Sequence, residues 1–160
     1  MYTITFKDEL GPALAQLEAA LADKTELMQD LGELLVQSTQ DRMEAGENPD
    51  GSPFAPRSAL TLAQYAEKGL SFGKPLNVTG ELRLSIAYEA SPDGVTWGSN
   101  AIQAAVMQLG AAQGAFGTNA RGGPIPWGDI PAREYIGLSE EDVSNVILEI
   151  EEYLERKTAE

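Results

Sequence analysis

Residues 86–99 read IAYEASPDGVTWGS, and the reading of this stretch decides the fold. Apolar residues alternate on both sides of a Pro-Asp-Gly turn, which predicts a β-hairpin. The segments around it read as helices. Upstream, Leu10, Leu14, Leu17 and Leu21 form an apolar stripe at spacings of three and four, and Gly11-Pro12 falls in the first turn, where proline is tolerated. Asp23 or Thr25 can cap a second helix whose stripe is Leu27, Leu31, Leu34, Leu35 and Met43. Residues 46–57, GENPDGSPFAPR, are a loop by their prolines and glycines. A shorter helix over Ala59–Lys68 stops at Gly69, and Thr79 caps a short turn ahead of the hairpin.

Downstream of the hairpin, Ala101–Leu109 predicts a short helix ended by Gly110. Residues 110–131 are a glycine-, alanine- and proline-rich loop, expected to lack a fixed shape by itself and to order on assembly. Then comes PAREYIGLSEED, residues 131–142. Pro131 keeps Ile130 extended, Glu134–Gly137 reads as a short strand, and Gly137 permits a sharp exit. Ser139 and Asp142 open the last helix as a capping box. On that helix Val143, Val146, Ile147, Ile150 and Leu154 share one face, of which Val143, Ile147, Ile150 and Leu154 are expected to be buried, with Glu149, Glu151 and Glu152 solvated or facing the channel of an assembly. MYTITF, residues 1–6, alternates like a strand that pairs with a sheet edge or a neighbouring subunit. These elements predict one α+β domain over residues 1–160. Its small, mainly antiparallel sheet is built round the hairpin and packed by long N-terminal and C-terminal helices.

The formal net charge is −14, and it is placed at the ends. Residues 1–50 hold eleven acids against three bases and 139–160 hold eight against two, while 51–138 have six of each. An acidic chain repels phosphate, so nucleic-acid binding through a basic footprint is not expected. With no histidine and no cysteine, imidazole bases, thiol nucleophiles and their metal sites are excluded. No apolar run approaches the ~20 residues of a membrane-spanning helix, and MYTITFKDEL does not read as a secretory signal. Three motif-like stretches fail on inspection. GLSFGKP is one residue short of a phosphate loop, Asn77-Val78-Thr79 is better read as a helix cap than as a glycosylation site, and ENPDGS lacks the spacing of a calcium loop. No catalytic, cofactor-binding or metal-ligating residue emerges.

Taken together, GSPFAP, PLNVTGELRLSIAYEASPDGVTWGSN, QLGA and IPAREYIGLSEEDVSNVILEIEEYL, in that order, resemble the virion morphogenesis, or tail completion, proteins of Mu-like and P2-like tailed phages. The resemblance covers roughly residues 25–155. It departs where members carry tyrosine-alanine and then histidine-glutamine-phenylalanine-glycine after the hairpin. This chain has Gln103-Ala104 and Met107-Gln108-Leu109-Gly110, which favours packing over catalysis there. The resemblance implies a non-enzymatic structural protein without cofactor, forming a ring, expected as a hexamer, that terminates the tail and joins it to the head connector. Its partners would be its own copies, tail tube or sheath proteins and connector proteins. DNA would pass through without specific binding, no membrane would be involved, and the virion would be assembled in the host cytoplasm. A head-side neck protein (adaptor or stopper) is the alternative within this class, and an acidic DNA-mimic inhibitor the alternative outside it. The candidate inter-subunit or neck contacts are Gln108, Gly110, Arg121, Trp127, Arg133 and Tyr135, with Arg133 expected to meet a carboxylate of its own chain or a neighbour.

Overall fold

The hairpin forms as read. Strands β1 (Ile86–Ser91) and β2 (Gly94–Ser99) pair antiparallel, with Tyr88 opposite Trp97 and Ser91 opposite Gly94. This is a computed structural model, and it describes residues 10–70 and 73–159. The MYTITF segment lies outside the described residues. Around the hairpin stand α1 (Leu10–Ala22), α2 (Thr25–Ala45), α3 (Ala59–Glu67), α4 (Glu81–Leu84), α5 (Ala104–Leu109) and α6 (Glu140–Ala159). The fold is α+β, with N-terminal and C-terminal helices about a two-stranded sheet.

Helix α2 organises everything else. Leu27, Leu31, Leu35, Thr39 and Arg42 recur at spacings of four and three, all buried, so one stripe of a single helix faces the interior along its whole length. The hairpin lies across that helix. Trp97 Nε1 donates to Thr39 Oγ1 at 3.2 Å, and Tyr88 sits directly over Gly32. A Cβ at position 32 would lie 2.2 Å from Tyr88 Cδ2, so the absence of a side chain there sets how closely sheet and helix approach. Gly32→Ala should therefore displace the Tyr88 ring and destabilise the fold by about 1–3 kcal/mol, despite alanine's better helix propensity. Urea unfolding with tyrosine fluorescence checks this; an unchanged midpoint would mean the hairpin does not rest on α2 at this point.

Two apolar clusters result. One joins Met43, Phe54, Leu82, Ile86, Ala104 and Tyr135, and the other joins Leu27, Leu31 and Tyr153. Helix α6 runs antiparallel to α2 and closes the second cluster: Lys157 pairs with Glu26 at 2.9 Å, Arg156 with Asp30 at 3.3 Å, and Asp142 with Arg42 near the other end. Tyr153 is buried between them and donates to Asp23 O at 3.3 Å.

The structure corrects four expectations. First, α6 packs on α2 through Asp142, Val146, Ile150 and Tyr153, so Val143 and Ile147 stay 45% and 51% exposed. The apolar stripe is wider than one neighbouring helix can cover, and its flank is left open. Second, Glu134–Gly137 is not a strand; side chains satisfy its backbone, as described below. Third, helix α5 is shorter than expected, beginning at Ala104; at the exit from the joint Gly137 is needed sterically, since a Cβ there would lie 2.7 Å from Pro49 Cγ. Fourth, the 110–131 loop doubles back on itself. Ala111 and Ile130 exchange backbone hydrogen bonds of 2.9 and 2.8 Å, Phe116 N donates to Ile125 O at 2.7 Å, and Asn119 N donates to Gly123 O at 2.8 Å. Gly122, at φ 78°, makes the reversal at its tip, so its glycines shape the loop instead of loosening it.

Candidate interaction surface

The segment from Arg133 to Asp142 joins the long loop to α6, and side chains distant in sequence hold its backbone from Glu134 N to Gly137 O. Gln108, at the end of α5, acts in place of a β-strand. Its Oε1 accepts from both Tyr135 N and Ile136 N at 3.0 Å, and its Nε2 donates to Ile136 O at 2.9 Å. Asn48 Oδ1 takes Glu134 N at 3.0 Å, and Met107 O takes Arg133 N at 2.8 Å. Gly110, at φ 73°, lets the chain turn out of α5, with Ile130 O and Ala132 N each 2.7 Å from where a Cβ would stand. Tyr135 is buried and its hydroxyl donates to Ala104 O at 3.1 Å, burial pushing its pKa up.

Arg42 locks the far end of this joint. It donates to Gly137 O at 2.9 Å and Tyr135 O at 3.2 Å, and it pairs with the buried Asp142 carboxylate. Asp142 also accepts from Ser38 Oγ and from Ser139 N at 2.8 Å, while Asp142 N donates to Ser139 Oγ at 3.0 Å, so the expected capping box forms. Arg133 does not meet a carboxylate among the described residues. Its Nε and Nη2 donate to Ala55 O at 2.7 Å and Pro56 O at 2.9 Å, which ties the joint to the 46–57 loop. The arginine that pairs with a buried carboxylate at this joint is Arg42, which sequence reasoning missed. Its signal was present: it falls on the same helical stripe as Leu27, Leu31 and Leu35, where a lone charge needs a buried partner.

Of the six candidate contacts, then, Gln108, Gly110, Arg133 and Tyr135 converge at one place and build the subunit's own joint. Arg121 stands apart on the loop surface, while Trp127, 64% exposed, lies with Arg133 in the groove beside α3.

The open surface is of two kinds. Helix α3 has no buried residue at all. Together with residues 75–82 and the 126–133 limb of the long loop it walls a groove lined by Leu60, Tyr65, Val78, Met107 and Trp127, with Arg57 and Arg133 in its wall. Arg57 donates to Gly73 O and Lys74 O at 2.5 and 2.7 Å and lies 5.8 Å from the Tyr65 ring centre. Neither arginine pairs with a carboxylate among the described residues, and burial together with the charge of Arg57 pulls the Arg133 pKa down. The outer sides of α2 and α6 are the opposite in sign, with Glu26, Glu33, Asp41 and Glu44 on one helix and Glu140, Glu141, Glu151, Glu152 and Glu155 on the other exposed. Among the described residues no group of three or more carboxylates is placed to hold a metal ion, and no helix is long and apolar enough to cross a membrane.

A family model described as the phage virion morphogenesis family matches residues 7–155. That span takes in nearly the whole chain, hairpin, joint and both long helices included, and the chain belongs to this family. No curated protein and no solved structure matches it.

Proposed function

We propose that this member of the phage virion morphogenesis family is a non-enzymatic structural protein that assembles into a ring, a hexamer, at the head-proximal end of a phage tail and joins that tail to the head connector. Family membership supplies a role in building the virion. The observation that supports self-assembly is α3: nine residues of helix with no buried side chain, beside an apolar groove, in a chain whose α6 also leaves Val143 and Ile147 open. A helix this short is marginal in water without a surface to pack on. Closed cyclic symmetry satisfies such unlike surfaces pairwise. Tail tube or sheath proteins and connector proteins are the partners on the two faces of the ring.

The charge fits a channel as well as it fits solubility. A ring at the joint must let DNA pass without holding it, and exposed carboxylates repel phosphate over roughly 8 Å at physiological salt. On this reading part of the α2 or α6 acidic surface lines the lumen. Particles carrying Glu152→Lys and Glu155→Lys should assemble but eject DNA slowly, most visibly at low salt. Normal ejection from well-assembled particles would place these acids on the outer surface.

Position is tested by complementation. Heads and tails made without the protein should join when the purified chain is added, and labelled chain should bind isolated tails. Binding to heads alone would move it to the head-side neck, and inhibition of a nuclease by a monomer would favour a DNA mimic.

A further inference from the structure

We propose that the groove walled by α3, residues 75–82 and the 126–133 limb receives the open flank of α6 from a second copy of this chain. The inference rests on the ring reading above and names the two surfaces that meet.

Each surface has what the other lacks. On α6, Glu140, Val143, Ile147 and Glu151 follow one another at spacings of three and four, which aligns them in one row. The row is exposed and carries an acid at each end with two apolar side chains between, Val143 at 45% and Ile147 at 51% exposure. In the groove, Leu60, Val78 and Trp127 are 48%, 40% and 64% exposed, and Arg57 and Arg133 add positive charge. Two backbone carbonyls accept from each of these arginines without neutralising it. Arg133 feels the deficit, its charged form disfavoured by burial and by Arg57 beside it. Asp129, in the same lining, carries one negative charge against their two positive ones. An occupant bringing an apolar body with a carboxylate at its edge relieves both the exposed apolar area and the excess charge.

The same charges select the occupant. Net charge is −14 for the chain, and the exposed acids of α2 and α6 oppose any contact that sets those helices against their own copies. An α6-to-α6 dimer is therefore disfavoured, whereas α6-to-groove contact pairs opposite signs. Contact between unlike surfaces runs head to tail, the interface type from which a ring closes when the rotation between copies divides a full turn. A bare anion would leave Leu60, Val78 and Trp127 in water, so a small acidic ligand fits the groove less well than a helix does.

Two variants that each lose one surface test this. Val78→Asp with Trp127→Glu disables the groove, and Ile147→Asp disables the flank. All three positions are exposed, so native circular dichroism should be kept. Native mass spectrometry of the wild type comes first: a monomer at every concentration overturns the ring reading and this inference with it. Given a wild-type ring, each variant alone should be monomeric, its self-association weakened about 100-fold or more. A 1:1 mixture should stop at a dimer holding one of each, because one intact groove can still take one intact flank. Either variant forming the wild-type particle, a mixture that stays monomeric, or one that grows past the dimer overturns the pairing of these surfaces and leaves the ring itself standing.

Discussion

Arg42→Met is expected to destabilise the subunit by about 3–5 kcal/mol, measured as a fall in the urea midpoint at neutral pH. The guanidinium is 9% exposed and serves four acceptors at once: Asp142, Ser38 Oγ, Tyr135 O and Gly137 O. Methionine fills much of the volume but donates nothing. It leaves a carboxylate buried without its counter-charge and two carbonyls without donors, and such groups cost about 1–3 kcal/mol each. The pair should also show in acid. Burial pushes the Asp142 carboxyl up, but hydrogen bonds from the Ser139 amide, the Ser38 hydroxyl and Ser139, with the charge of Arg42, hold it below its usual 3.8. A folded-state pKa below the unfolded value means stabilisation that is whole above 3.8 and is lost as pH falls through the folded value. The stability gap between wild type and Asp142→Asn should thus narrow below that pH. A constant gap would show that the carboxylate's charge adds nothing to the joint.

Gln108→Ala is the second large effect. One side chain satisfies Tyr135 N, Ile136 N and Ile136 O, and no neighbouring strand is there to replace it. Losing three partners in a half-buried place should cost about 3 kcal/mol, since water reaches part of the site. Amide hydrogen exchange gives a sharper reading than the midpoint. Tyr135 and Ile136 should lose protection in Gln108→Ala and regain most of it in Gln108→Glu, which keeps the double acceptor and gives up one donor. Protection unchanged in the alanine variant would mean that the segment is held by packing of Tyr135 alone.

How much of this was legible in the sequence differs by element, for physical reasons. The hairpin was, because alternation on both sides of Ser91-Pro92-Asp93-Gly94 is local and has one common solution. The Ser139–Asp142 box and the glycine after α2 were also local signals. Which flank of α6 is covered was not legible, because a stripe from Val143 to Leu154 is compatible with several rotations and the neighbour chooses. The missing strand at Glu134–Gly137 failed for a related reason: an extended segment needs backbone partners, and here they come from Gln108, Asn48 and Arg42, distant in sequence. Gln108, Arg133 and Tyr135 were marked out as contacts between subunits; within the subunit Gln108 and Tyr135 hold the joint, and Arg133 both ties it to the 46–57 loop and borders the open groove. Arg42 shows the converse case, a residue whose position on an apolar stripe was visible but whose partner lies 100 residues away.

A closed ring of this chain seated on the tail is open to native mass spectrometry of the purified protein, followed by electron microscopy of labelled protein mixed with isolated tails. A single closed species of six copies is expected, with label at the tail end that meets the head. A chain that remains monomeric at every concentration and does not bind tails would contradict it.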